Sequence, residues 1–164
     1  MSELSDFDDM YQEVIIDHYK NPRNSKKLSG NYDETKAHNP FCGDEIELQL
    51  IISKDGIVEK ISVTGRGCAI SQSSGSLMSD SVYGKSIEEV KNINLNVRAM
   101  LKDEELSDED LDSIGDSYAI EGVKKFDIPS GTAFLDLDEL DFQCPVCRQG
   151  VTAFKDKLLS CIVA

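Results

Sequence analysis

Hydrophobic and polar positions alternate with two different periods along this chain, and each change of period marks an element. Over residues 5–20, Phe7, Met10, Tyr11, Val14, Ile15 and His18 recur every three or four positions, giving the single apolar stripe of an amphipathic helix. Ser5 or Asp6 suits its N-cap, and Asn21-Pro22 ends it, because proline disfavours helical backbone in the preceding residue. The stripe reads as core packing. Residues 21–38, punctuated by Pro22, Gly30 and Asn31, read as a long loop ending in a short edge strand. From Glu45 to Ile52 the period drops to two, the signature of a half-buried strand. Lys54-Asp55-Gly56 supplies a turn with a glycine able to take positive φ. Ile57 to Thr64 alternates again and is rich in β-branched residues, so the two segments predict a hairpin.

Beyond the hairpin the period returns to that of a helix. From Cys68 to about Tyr83, small residues (Ala69, Ser71, Ser73, Ser74, Gly75, Ser76) precede Leu77, Met78 and Val82. Ser and Gly are mediocre helix formers, but small side chains let a helix lie close on a sheet, and Gly84 suits its end. Ser86-Ile87-Glu88-Glu89 has the form of a capping box and predicts another short helix. Residues 102–116 hold many carboxylates and few apolar groups, which predicts an exposed acidic insertion extending to about residue 143. Residues 116–125 suggest a further helical turn, and 127–143, with Pro129, Ser130 and Gly131, read as irregular. Val151, Phe154, Leu158 and Ile162 fall at helical spacing and predict a closing helix over about 148–161. There is no internal repeat.

Composition narrows the class. The 164 residues are enough for one domain, 1–164, with a substantial core. A formal net charge of −14 argues against nucleic acid, whose phosphates recruit an excess of Lys and Arg. No run approaches the roughly 18 apolar residues of a membrane span, and the first residues lack the basic and apolar regions of a signal peptide. Five cysteines, an odd count without an export signal, suggest reduced thiols in a cytoplasmic setting.

The cysteines carry the chemistry. Cys42 and Asp44 lie two apart beside Gly43, and Cys68 follows Gly65-Arg66-Gly67 at the mouth of the predicted helix. The hairpin between them is able to bring the two segments together. Thiolates with a carboxylate form a borderline-soft site suited to zinc, or to iron with inorganic sulfide. A fourth ligand is expected from Cys144-Pro145-Val146-Cys147. That pair also allows a redox motif, or a knuckle in which Cys144 and Cys147 join Cys42 and Cys68 and leave Asp44 free. Cys161 reads as a small buried hydrophobe. His18 shares the apolar stripe and His38 sits in a loop, neither at metal-ligand spacing to a second histidine. A Cys–His nucleophile pair built on His38 and Cys42 has no accompanying oxyanion or elbow element.

Three motifs occur in order: Tyr11-x-x-Val14-Ile15-x-Asp17-His18-Tyr19-x-Asn21-Pro22-Arg23-Asn24, then Asn39-Pro40-x-Cys42-Gly43-Asp44, then Gly65-x-Gly67-Cys68-Ala69-Ile70-Ser71. Over roughly residues 7–92 they resemble the U-type iron–sulfur cluster assembly proteins, the family of the NifU N-terminal domain, IscU and SufU. The SufU-like branch is the nearer likeness, and the chaperone-binding Leu-Pro-Pro-Val-Lys motif of the IscU branch is absent. The resemblance implies an α+β domain, a three-stranded antiparallel sheet with helices packed against it, and a C-terminal helix closing the site. It implies a metal site of Cys42, Asp44, Cys68 and Cys147, with Cys144 the alternative, because the C-terminal segment departs from the family's pattern. Arg148 stands where the IscU branch carries a histidine.

By the same resemblance, the chain is expected to be a scaffold and zinc-dependent sulfur acceptor in iron–sulfur cluster assembly. Cys42 would take persulfide sulfur from a SufS-like cysteine desulfurase, and Asp44 would be an exchangeable ligand. The expected cargo is zinc, with transient iron or a [2Fe–2S] cluster, and the expected partners are the desulfurase and cluster-accepting proteins. The chain is expected to act as an acceptor protein and sulfur-transfer partner of the desulfurase, not as a free-standing enzyme. The alternative is a paralogue whose Cys₄ zinc site is structural and serves protein binding.

Overall fold

The computed structural model describes residues 3–38 and 44–125, with side chains described over 11–38 and 44–122. In chain order the elements are α1 (Glu3–Lys20), β1 (Asp33–His38), β2 (Glu45–Ile52), β3 (Val58–Arg66), α2 (Ala69–Val82), α3 (Ile87–Leu101) and α4 (Asp108–Ile114), followed by a 3₁₀ stretch, Gly115–Lys125. The strands form one antiparallel sheet in the order β1-β2-β3. The expected α+β architecture is therefore present. The expected closing helix over 148–161 lies outside the described residues.

The hairpin follows directly from the alternating pattern. Leu48 pairs with Val63 and Leu50 with Ile61, so the apolar members of both strands share one face. Together with Val58, Val82 and Val90 they form the buried core, flanked by Ile46, Ile52 and Met78. Gly56 takes φ +77° in the connecting turn, as its position predicts. On the opposite face the 21–32 loop crosses the sheet. Asn24 O accepts from Val63 N at 2.8 Å, and Leu28 N donates to the buried Gln49 Oε1 at 2.8 Å. Lys27 and Lys36 both pair with Glu47, holding its carboxyl below the usual range. Expected as a short edge strand, β1 carries Glu34 and Lys36 on this same outer face.

At the centre of the fold, α2 touches β3, α1, α3 and the 3₁₀ stretch. Its small residues explain how. A Cβ added to Gly75 would stand 3.0 Å from Val63 Cγ1 and 3.1 Å from Ile46 Cδ1, so helix and sheet already meet there. Serines of α2 also bond to the neighbouring elements. Ser76 Oγ meets His18 Nδ1 at 2.8 Å and accepts from Arg23 N at 2.8 Å. Ser79 Oγ accepts from Asn24 Nδ2, and Ser81 Oγ meets Ser117 Oγ. These hydroxyls are thus partnered across the seams with α1, the 21–32 loop and the 3₁₀ stretch, while among the described residues the buried Ser62 Oγ on β3 has no partner.

Several details differ from the sequence reading. The first helix begins at Glu3, so Ser5 and Asp6 lie inside it and do not cap it. Expected to be short, the helix after Ser86 runs 15 residues, and its capping box between Ser86 and Glu89 is formed. The acidic stretch is not uniformly exposed. Ser107 and Asp110 form a second capping box, α4 follows, and Ile114 is fully buried. Carboxylates at 108–110 occupy the first turn, where the helix dipole favours them. Asn96 on α3 donates to Asp110 Oδ1 and Ser113 Oγ, tying the two helices together. The further helical turn expected after Asp116 is the 3₁₀ stretch, whose Tyr118 stacks obliquely on Tyr11 with ring centroids 5.3 Å apart.

His18 is 3 % exposed, in keeping with its place on the apolar stripe. Burial, then the Arg23 charge, pushes its pKa below the ordinary value of 6.5. The folded state therefore holds the ring neutral while the unfolded chain takes up the proton first. This contribution to stability is intact above about pH 6.5 and is lost as pH falls below it. Denaturant titrations at pH 7.5 and 5.5 should show a smaller pH-dependent loss in His18→Asn than in the parent chain. An equal loss in both would place the sensitivity elsewhere.

Candidate functional site

The open end of the β2–β3 hairpin builds the site. Glu45 pairs with Arg66 and Ile46 with Gly65, so Asp44, just before β2, sits across from the turn that leads into α2. Two glycines make this closeness possible, for different reasons. A Cβ on Gly65 would lie 2.1 Å from Glu45 O, a clash with backbone. A Cβ on Gly67 would lie 2.6 Å from Asp44 Oδ1 and 2.7 Å from its Cγ. The Asp44 carboxylate thus occupies the space that any side chain at 67 would need.

Cys68 is the N-cap of α2, with φ −68° and ψ 168°, and its Sγ accepts from Ser71 N at 3.4 Å. The thiol is exposed and lies at the N-terminus of α2. Asp44 Oδ1 accepts from Cys68 N at 3.2 Å, and Asp44 Oδ2 stands 3.8 Å from Cys68 Sγ. For one tetrahedral zinc bound to both atoms, usual bond lengths give a sulfur–oxygen separation of about 3.5 Å. The pair fits half of such a site. Among the described residues no group of three His, Cys, Asp or Glu side chains is placed to hold a metal ion.

Cys42, Cys144, Cys147 and Cys161 lie outside the described residues. The structure therefore brings together two of the sequence-proposed ligands, Asp44 and Cys68. His18 is buried against Ser76 and faces α2. His38 is exposed and is the last residue of β1, opposite Glu45, where the sequence reading had placed it in a loop.

One contributor escaped the sequence reading. With its amide oxygen turned to the available donors, Gln72 accepts from Gly67 N at 3.0 Å and Arg66 N at 3.2 Å. Its only sequence signal is a position four residues past Cys68, from which a helical side chain reaches back over the preceding turn.

Residues 10–131 match the family model described as the NifU-like N terminal domain. The chain belongs to this family. It is 39 % identical over 126 residues to the zinc-dependent sulfurtransferase SufU of Bacillus subtilis (strain 168), covering 77 % of this chain and 83 % of that protein. It is 35 % identical over 123 residues to the iron–sulfur cluster assembly scaffold protein IscU of Streptococcus pyogenes serotype M1, covering 75 % of each. A crystal structure of a candidate SUF-system cluster assembly scaffold from Fervidobacterium islandicum AW-1 superimposes with a TM-score of 0.63 at 27 % identity, over 70 % of this chain and 81 % of that one. The NifU-like match ends at residue 131, before the Cys144-Pro145-Val146-Cys147 segment. No helix among the described residues is long and apolar enough to cross a membrane.

The two glycines predict different outcomes. Gly65→Ala should cost about 1–3 kcal/mol, because the opposing atom is a backbone oxygen that cannot move alone. Gly67→Ala should cost less, since the short Asp44 side chain can rotate away, but Cys68 N–H then loses its acceptor. Urea unfolding of both variants, with amide exchange at Cys68, checks this. Equal destabilisation, or unchanged Cys68 exchange in Gly67→Ala, would contradict it.

Proposed function

We propose that this NifU-like chain works in iron–sulfur cluster assembly as a scaffold and zinc-dependent sulfur acceptor, with Cys42, Asp44, Cys68 and a cysteine of the 144–147 pair as its ligand set. The observation that carries this reading is the Asp44–Cys68 pair, held at 3.8 Å between strand and helix N-terminus. Asp44 faces both the thiol and the backbone N–H of Cys68, a placement that favours a ligand role over that of a bystander to a Cys₄ knuckle. Similarity to SufU supports zinc, and similarity to IscU supports transient iron or a [2Fe–2S] cluster as cargo.

In this reading zinc, when bound, is a Lewis acid that keeps its thiolate ligands deprotonated at neutral pH. The chain's own residues do the rest. Asp44 holds the Cys68 N–H and shares the ligand cluster with Cys68. Its carboxylate is the harder donor of the set, suited to exchange. Cys42, two positions before Asp44, is the sulfur acceptor. Its thiolate attacks the terminal sulfur of a persulfide on a cysteine desulfurase. The donor's S–S bond breaks, its cysteine leaves as a thiolate, and Cys42 carries the new persulfide with no net redox change. Cluster-accepting proteins are the later partners, and the free thiols suit a reducing, cytoplasmic setting.

Cys42→Ala should abolish persulfide loading by the desulfurase while leaving the fold intact. Asp44→Ala should weaken zinc binding at least about tenfold and reduce desulfurase stimulation. Mass spectrometry of the acceptor, chelator competition and alanine release by the desulfurase read these outcomes. Should both variants retain full stimulation while Cys144→Ala loses the metal, a structural Cys₄ zinc module for protein binding replaces this reading.

A further inference from the structure

The turn that delivers Cys68 is short of ordinary restraints. It leaves β3 at Arg66, passes through Gly67 and enters α2 at Cys68. Glycine gives it freedom, and the polypeptide there is exposed. Four backbone donors there nevertheless have side-chain partners. Cys68 N donates to Asp44 Oδ1, and Ser71 N donates to Cys68 Sγ. The other two, Arg66 N and Gly67 N, converge on the single side-chain oxygen of Gln72. Gln72 is itself fixed, because it sits on α2 with its own backbone N bonded to Cys68 O at 3.0 Å.

We propose that Gln72 is a positioning residue for the metal site: it fixes the 66–67 backbone and so sets the distance between Cys68 and Asp44. The inference deepens the metal-site reading above and rests on it. Without Gln72, the N–H groups of Arg66, at the end of β3, and Gly67 lose a side-chain acceptor beside a carboxylate and a thiolate. Those anions are the strongest acceptors nearby, and charge-assisted hydrogen bonds are favourable. A ligand atom drawn into such a bond is turned away from a metal. By occupying both donors, Gln72 leaves Asp44 Oδ2 and Cys68 Sγ facing one another. This is the same kind of support that second-layer partners give to metal ligands, where their loss commonly weakens metal affinity by about 10–100-fold.

The test uses the full chain with Gln72→Met, which keeps length but lacks a strong acceptor, and Gln72→Glu, which keeps an oxygen in reach. In metal-free protein, amide exchange at Arg66 and Gly67 should accelerate in Gln72→Met and return close to the parent rate in Gln72→Glu. Zinc affinity by chelator competition should fall about 10–100-fold in Gln72→Met and recover in Gln72→Glu. A merely structural role would lower thermal stability without this rescue of affinity. Unchanged exchange at both amides, or parent-like zinc affinity in Gln72→Met, overturns the assignment. If the parent chain itself takes up no zinc, the metal-site reading falls, and the exchange result still reports whether Gln72 holds the turn.

Discussion

Close contact between α2 and the sheet governs the rest of this structure. At Gly75 a methyl group would stand 3.0 Å from Val63 Cγ1 and 3.1 Å from Ile46 Cδ1, so those side chains would have to give way to admit it. That proximity places the helix N-terminus beside the open end of the hairpin, where Cys68 meets Asp44. It also leaves the other sides of α2 available to α1, α3 and the 3₁₀ stretch. A larger residue at 75 would have to push the helix outward or force Val63 from its rotamer, and the site would move with it.

Because α2 is shared so widely, its polar residues do two tasks at once. Ser76 joins the α1 histidine to the backbone at Arg23, while Ser79 and Ser81 bond to the 21–32 loop and the 3₁₀ stretch. A purely apolar helix of the same size would pack but would leave those buried partners unsatisfied. The poor helix propensity of this segment is therefore offset by tertiary hydrogen bonds that hold only in this arrangement.

Much of this was legible in the residues alone. The hairpin was, because period-two alternation from Glu45 to Ile52 and again up to Thr64 leaves one register that buries Leu48, Leu50, Ile61 and Val63 together. The closeness of Asp44 to Cys68 was legible from the same hairpin and the glycines around it. The helix within the acidic stretch was not, because a single buried residue, Ile114, anchors it and its carboxylates look like a solvated loop. Nor was the role of Gln72, since nothing in composition or period shows where a side-chain amide will turn. Its contact exists only once strand, turn and helix are assembled.

The loop at residues 21–32 has a further consequence. An antiparallel sheet of three strands exposes two rows of unpaired peptide groups, and such rows invite fusion with other chains. Here β1 is six residues long and bears Asp33, Glu34 and Lys36. On the other side, Asn24, held at φ +50°, already lends its carbonyl to Val63. Strand exchange with a second molecule would have to displace that carbonyl first. Both margins of the described sheet thus carry a feature that discourages strand addition, charge on β1 and a loop carbonyl on β3.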